Sequence, residues 1–307
     1  MPIFKIQNSK LVPIKTKSFD LERKIQDTVE KNLDVIFGLQ FVKSEFQIRN
    51  FWIDTLAFDP ESKSFVIIEY KKDKSFSVID QGFAYLNLML HNQADFILEY
   101  NEKLDSSLKR VDVDWSQSKV IFIAQAFTPY QVQAIGFKDL PMELWEVELY
   151  DNNLLSFNLL KSSEIKESIK SLGSKNKTIS DVSKEVKTFS LEDHIKRGNK
   201  DTQTLFRILR DKIMTLDDRI IEKPVRDYIG YKVQWFNFVS IHIFRSKLKI
   251  YVRKNNLSKD ASKKFTKVPS SYGWGKTPLW WIDISNSKDL NYIFDVIKES
   301  YESAPDK

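Results

Sequence analysis

The sequence predicts an α/β fold, a mixed central sheet flanked by helices, followed by a second, smaller α+β domain. Three observations predict it. Residues 52–71 hold two apolar, β-branched and aromatic runs on either side of the polar break Asp59-Pro60-Glu61-Ser62-Lys63, the pattern of two strands joined by a tight loop. Helical and strand patterns then alternate over residues 76–150, as in a layered α/β domain. Around residues 160–191 Ser, Lys, Asn and Glu come into excess. This divides the 307-residue chain into a domain at 1–160, a linker at 161–190 and a domain at 191–307.

The elements follow in order. Residues 1–17 read as a short leading strand and loop. Ser18 is placed to cap a helix from about Phe19 to Phe37, stopped at Gly38, with Leu21, Ile25, Val29, Leu33 and Ile36 at helical spacing. Glu22 falls inside that apolar stripe and Glu30 outside it. Phe41–Phe46 makes a first strand, leading through Gln47–Asn50 into the hairpin. Glu45 and Arg49 lie close enough to the strand ends to touch phosphate or metal, although such residues are commonly solvated loop charges. Phe76–Leu90 reads as a helix with Gln81 and Tyr85 one turn apart on one face. Lys119–Ala126 is a buried strand by composition, Pro129–Ile135 a short helix and Leu144–Tyr150 an alternating strand. In the second domain a helix carrying Leu205, Leu209, Ile213 and Leu216 leads to Pro224. The β-rich runs Tyr231–Phe244 and Leu248–Arg253, a strand at Trp280–Ser285 and an amphipathic helix at Leu290–Tyr301 complete it.

The hairpin carries the chemistry. With Pro60–Lys63 as its loop, Asp59 faces Ser64, Phe58 faces Phe65, Leu56 faces Ile67 and Asp54 faces Glu69. Period-2 alternation puts Lys71 on the same face as Glu69. Directly opposed residues have Cβ atoms roughly 5 Å apart, where like charges are destabilising, so something positive must compensate. A divalent cation does so, because hard oxygen ligands on a rigid hairpin suit Mg²⁺, leaving Lys71 to act on a water or a phosphate. The same face carries Trp52, Leu56, Phe58, Phe65 and Ile67, and the opposite face Ile53, Ala57, Val66 and Ile68. A strand pair apolar on both sides is a central element, and ionisable groups there call for a function or a partner. The opposing reading is a half-exposed hairpin whose charges face water.

Composition narrows the choice of chemistry. There are no cysteines, which excludes disulfides, thiolate zinc sites and cysteine nucleophiles. Three histidines, His91, His194 and His242, are far apart in sequence and give little material for a histidine-rich metal site. The start Met1-Pro2-Ile3-Phe4-Lys5 has no apolar signal core, and no stretch approaches 18 apolar residues, so a cytoplasmic protein without a membrane partner is expected. The net charge of +6 is unevenly spread. Arg245 to Lys276 holds ten basic residues against Asp260 alone. With Tyr251, Phe265, Tyr272 and Trp274 interleaved, that composition suits phosphate contact and base stacking, the nucleic-acid candidates being Arg245, Lys247, Arg253, Lys254, Lys263, Lys264 and Trp274. Lys72 and Lys74, in the basic loop after the hairpin, join them. A charge run is also what a solvated face looks like.

Asp54, then Glu69-Tyr70-Lys71 on the far strand, then Gln81 and Tyr85 on the following helix resemble the PD-(D/E)XK nuclease superfamily. The likeness is to its RecB and NucS-like branch, where the Asp, the Glu-x-Lys and a downstream Gln-x-x-x-Tyr recur. It covers roughly residues 18–150, and Ile53 stands where a proline often precedes the aspartate. The resemblance implies a restriction-endonuclease-like core and a metal-dependent endonuclease hydrolysing DNA phosphodiester bonds, in repair, restriction or phage defence. It implies Asp54, Glu69 and the Tyr70 carbonyl as ligands of Mg²⁺ or Mn²⁺, Lys71 as the group that aligns or activates water, and Gln81 and Glu22 as support, with Glu30 the second choice for the helix carboxylate. Residues 191–307 resemble a C-terminal module of unknown function that accompanies such domains, including in bacterial proteins labelled predicted transport proteins. The expected partner is DNA, with RNA left open, and cutting two strands would favour a homodimer. The alternative is a non-catalytic nucleic-acid-binding or protein-interaction module that keeps the nuclease fold.

Overall fold

The computed structural model describes residues 3–17, 22–71, 77–137, 140–160, 177–187, 189–269 and 277–304. The chain forms two compact units, Met1–Asp59 with Lys63–Lys187, and Thr188–Lys307 with Pro60–Ser62.

In the first unit a two-stranded hairpin, β1 (Phe4–Gln7) and β2 (Lys10–Pro13), precedes a seven-stranded sheet. The sheet strands are β3 (Thr16–Lys17), β4 (Gln40–Ile48), β5 (Phe51–Asp59), β6 (Ser64–Lys71), β7 (Lys119–Ala124), β8 (Met142–Tyr150) and β9 (Leu154–Leu159). The order is β3-β8-β7-β6-β5-β4, with β9 also on β8. β6–β7 and β7–β8 are parallel and the other pairs antiparallel, so the sheet is mixed, as expected. The β5–β6 register has Asp59 on Ser64, Phe58 on Phe65 and Leu56 on Ile67, the pairing that a four-residue loop requires.

Helices cover both faces. On one lie α1 (Glu22–Glu30) and α2 (Leu33–Ile36), where Ile25, Val29 and Leu33 pack with Ala57, Val66, Ile68 and Tyr70. The single helix expected over 19–37 is broken at Lys31–Asn32, and its proposed cap Ser18 lies outside the described residues. On the other face lie α3 (Val78–His91), α4 (Gln93–Leu104), α5 (Pro129–Ala134) and α6 (Lys177–Glu185). There Phe83, Leu86, Met89 and Phe96 pack with Leu56, Phe58, Phe65, Ile67 and Phe122. Ile179 and Val182 of α6 belong to this same core, so the end of the stretch read as linker is part of the first unit.

In the second unit a six-stranded antiparallel sheet has the order β10 (Ile221–Pro224), β11 (Ile229–Val233), β12 (Phe236–Ile243), β13 (Leu248–Arg253), β15 (Leu279–Ile284), β14 (Thr266–Lys267). The β-rich run 231–244 holds the end of β11 and all of β12, which turn at Gln234, whose φ is 53°. The short α7 (Leu191–Ile195) precedes α8 (Lys200–Met214), and α9 (Leu290–Tyr301) closes the unit. Leu205, Phe206 and Leu209 of α8 and Ile293, Val296 and Ile297 of α9 share one core with the sheet.

Candidate active site

The paired rungs of β5 and β6 end at Thr55 and Ile68, one position short of Asp54 and Glu69. The Asp54 carboxylate closes the gap, its Oδ2 accepting a hydrogen bond from the Tyr70 backbone N–H at 2.9 Å. Glu69 is 3% exposed. Its Oε1 accepts from Lys71 Nζ at 2.7 Å and from Gln81 Nε2 at 2.9 Å, while its Oε2 is buried with no hydrogen-bond partner.

The helix that supplies Gln81 is fixed by its own sequence. Ser77 caps α3 by accepting from the Asp80 N–H at 3.3 Å. At Gly82 an added Cβ would meet the flexible end of the Met142 side chain, which would have to shift, and α3 packs on β7. Gln81 also donates to Tyr85 Oη at 3.1 Å, and Tyr85 Oη donates to the Trp52 carbonyl oxygen at 3.1 Å. Helix and hairpin are thereby joined by a continuous chain from Glu69 through Gln81 and Tyr85 to Trp52.

Electrostatically the pair is unsatisfied. Burial, followed by the charge of Glu69, pushes the Asp54 pKa up to about 7, against the Tyr70 N–H bond and the Lys71 charge, which pull it down. Burial also raises Glu69, opposed by its bond to Lys71. Glu45 adds a smaller upward push on Asp54. It lies opposite Asp54, between the rungs Ser44–Thr55 and Phe46–Ile53, with φ 49°. A buried carboxylate with an orphaned oxygen and a half-buried one beside it are the donor set that a hard divalent cation fits. Among the described residues no group of three or more His, Asp or Glu side chains is gathered for a metal, so backbone carbonyl and water would complete such a shell.

Helix α1 meets the hairpin on the other face. Glu30 Oε1 accepts from Thr55 Oγ1 at 2.6 Å, which leaves Thr55 Oγ1 to accept from Tyr70 Oη at 3.2 Å. The buried amide of Gln26 reaches the Asp54 carbonyl oxygen at 2.9 Å, Glu45 Oε1 at 3.2 Å and Glu30 Oε1 at 3.0 Å. Glu22 is half-buried in the first turn of α1. Gln26, which sequence reasoning passed over, thus braces the Asp54 backbone from α1. Its one signal is a polar side chain directly after Ile25 in the apolar stripe.

Residues 191–304 match a domain family described as a domain of unknown function (DUF5655). The whole chain is 42% identical over 301 residues to a protein of Haemophilus influenzae described as an "Uncharacterized protein", covering 98% of this chain and 99% of that one. This chain belongs to the family of that protein. Three solved structures are partly similar. The EndoMS–dsDNA2 complex has 15% identity over 42% of this chain and 47% of its own, with a TM-score of 0.28. A repair endonuclease from Pyrococcus abyssi has 16% identity over 42% and 48%, with a TM-score of 0.24. SfsA of Pyrococcus furiosus in complex with Ca²⁺ has 12% identity over 50% and 78%, with a TM-score of 0.26. This chain thus spans about half the length of the first two. No helix among the described residues is long and apolar enough to cross a membrane.

The basic candidates are dispersed. Lys72, Lys74 and Trp274 lie outside the described residues. Arg245 is exposed at the β12–β13 turn, Lys263 is exposed with φ 50°, and Arg253 is half-buried. Lys247 pairs with Asp283 at 2.6 Å, Lys254 with Glu299 at 3.0 Å and Lys264 with Asp289 at 2.8 Å. The acids come from residues 283–299, beyond the segment whose charge was counted, so the local excess of positive charge is partly neutralised in the fold.

Proposed function

We propose that this chain is a metal-dependent nuclease that hydrolyses phosphodiester bonds of DNA, with its active site at Asp54, Glu69 and Lys71. The observation that carries the reading is the buried, orphaned Glu69 Oε2 beside the half-buried Asp54, with Lys71 paired to the other Glu69 oxygen. Asp54, Glu69 and the Tyr70 carbonyl would hold Mg²⁺ or Mn²⁺, which when bound polarises the phosphate and acidifies a water. Lys71, anchored on Glu69 Oε1, would act on a phosphate oxygen or the attacking water and stabilise charge that builds in the transition state. Gln81 holds Glu69 Oε1 in place, so that Oε2 is the oxygen left for a ligand. Tyr70 N–H fixes the Asp54 carboxylate against the same strand. A second reading, a nucleic-acid-binding protein that keeps the fold without cutting, draws on the lack of a third gathered acidic side chain among the described residues.

The test is cleavage of circular and linear DNA, single- and double-stranded, with Mg²⁺, Mn²⁺ or EDTA, beside Glu69→Ala. Metal-dependent cutting that falls at least 10²-fold in the variant, with its circular dichroism unchanged, supports the nuclease. Binding that weakens with salt, with no cutting under any metal, supports the second reading.

A further inference from the structure

Trp52 is 54% exposed, although an indole is among the side chains that gain most from burial. It stands two residues before Asp54 on β5 and so shares the face of that carboxylate. The chain from Glu69 through Gln81 and Tyr85 ends on the Trp52 carbonyl oxygen, which fixes the strand under the indole relative to the candidate site. From Gln81, α3 runs on past Tyr85 to His91, a distance of about 15 Å at 1.5 Å per residue. There a cleft of about 640 Å³ is lined by Arg49, His91, Asn92, Gln93, Asp95 and Arg110. Arg49 comes from the β4–β5 turn, three residues before Trp52; Asp95 is the carboxylate among the cleft's lining residues, and adjoining clefts place Glu99 and Glu102 near Arg49 and Asp181 and Glu185 near Arg110. The carboxylate pair and the two-arginine cleft thus lie along one helix, and the strand that carries the exposed indole is bonded to that helix between them.

We infer that Trp52 stacks on an unpaired base next to the bond to be cut, and that the same strand continues along α3 to Arg49 and Arg110. The inference rests on the nuclease reading and names its substrate class, single-stranded or locally unpaired nucleic acid. A base within a duplex has both faces covered by its neighbours, so an indole can stack only on a base released from that arrangement. A strand of duplex DNA has one phosphate per about 3.4 Å of axis and an unstacked strand is more extended, so the 15 Å track spans at most about four phosphates of the strand between the site and the cleft.

The experiment measures binding of the full-length chain in EDTA, by fluorescence anisotropy, to a single strand, a duplex with one unpaired nucleotide and a fully paired duplex. Wild type should prefer the first two. Trp52→Ala should lose about tenfold or more on those two alone, and Trp52→Phe should keep most of the affinity. Arg49→Gln and Arg110→Gln should each reduce the slope of log affinity against log salt by about 0.7 on the single strand. Unchanged single-strand affinity in Trp52→Ala, an equal loss on the fully paired duplex, or no binding by wild type overturns the inference. Because binding is read without metal, a chain that never cuts yet needs Trp52 for single strands upholds this inference while the nuclease reading fails. Cutting that is indifferent to Trp52 does the reverse.

Discussion

Gln81 Nε2 lies 2.9 Å from Glu69 Oε1, the same oxygen that Lys71 holds at 2.7 Å. One oxygen of the buried carboxylate is doubly claimed and the other has no partner, an asymmetry set by a helix side chain twelve residues downstream. Gln81→Ala should therefore leave the melting temperature within a degree or two while lowering metal-dependent cleavage 10- to 100-fold, the usual cost of removing a supporting hydrogen bond. Loss of the fold in this variant, seen by circular dichroism, would make Gln81 a structural residue instead.

Asp54 gives a pH signature. Its folded pKa, about 7, lies above its ordinary value of 3.8, so between those values the folded chain binds a proton that the unfolded chain has released. Stability contributed by this group is greatest at low pH and falls as pH rises through that window. Asp54→Asn should flatten the fall and melt above wild type at pH 8. Millimolar Mg²⁺ at pH 8 should raise the melting temperature of wild type and leave that of Asp54→Asn unmoved, which thermal melts in both buffers check.

The second unit carries the opposite case. Burial would raise Glu299, but bonds from Ser258 and from the Lys259 N–H outweigh it and hold the pKa at about 2, below the ordinary 4.5. Its Oε1 accepts from Ser258 N at 2.7 Å and Ser258 Oγ at 2.6 Å, and its Oε2 from Lys259 N at 2.8 Å. That stabilisation is full above pH 4.5 and lost as pH falls toward 2. Glu299→Gln should speed hydrogen exchange at the Ser258 and Lys259 amides tenfold or more at pH 7 and make little difference near pH 2.

The hairpin was legible because its loop is sharply marked and a one-residue slip would turn Leu56, Phe58 and Ile67 to the wrong face. Helix α4 was not read, since Phe96 and Tyr100 are its only buried residues and so weak a stripe hardly differs from a loop. The bracing of Asp54 by Gln26 was hidden as well. It depends on where α1 crosses the sheet and on the irregular backbone at Glu45, neither of which follows from local spacing. Charge counting within residues 245–276 could not foresee Asp283, Glu299 and Asp289, because the partners of Lys247, Lys254 and Lys264 are brought in by β15, α9 and the residue before α9.

Helix α6 reaches back onto α3 across the segment 161–176, and Lys187 N then bonds the Ser116 carbonyl oxygen at 2.9 Å. The last apolar side chains of the first core, Ile179, Val182 and Val186, thus follow all of its strands in sequence. During synthesis the sheet and α3 must wait, one apolar flank uncovered, until residue 186 has left the ribosome. A gene fragment cut at residue 160 would keep Asp54, Glu69, Lys71 and Gln81 and still yield a sticky, unfinished domain, whereas one cut after residue 187 carries its own lid for that flank.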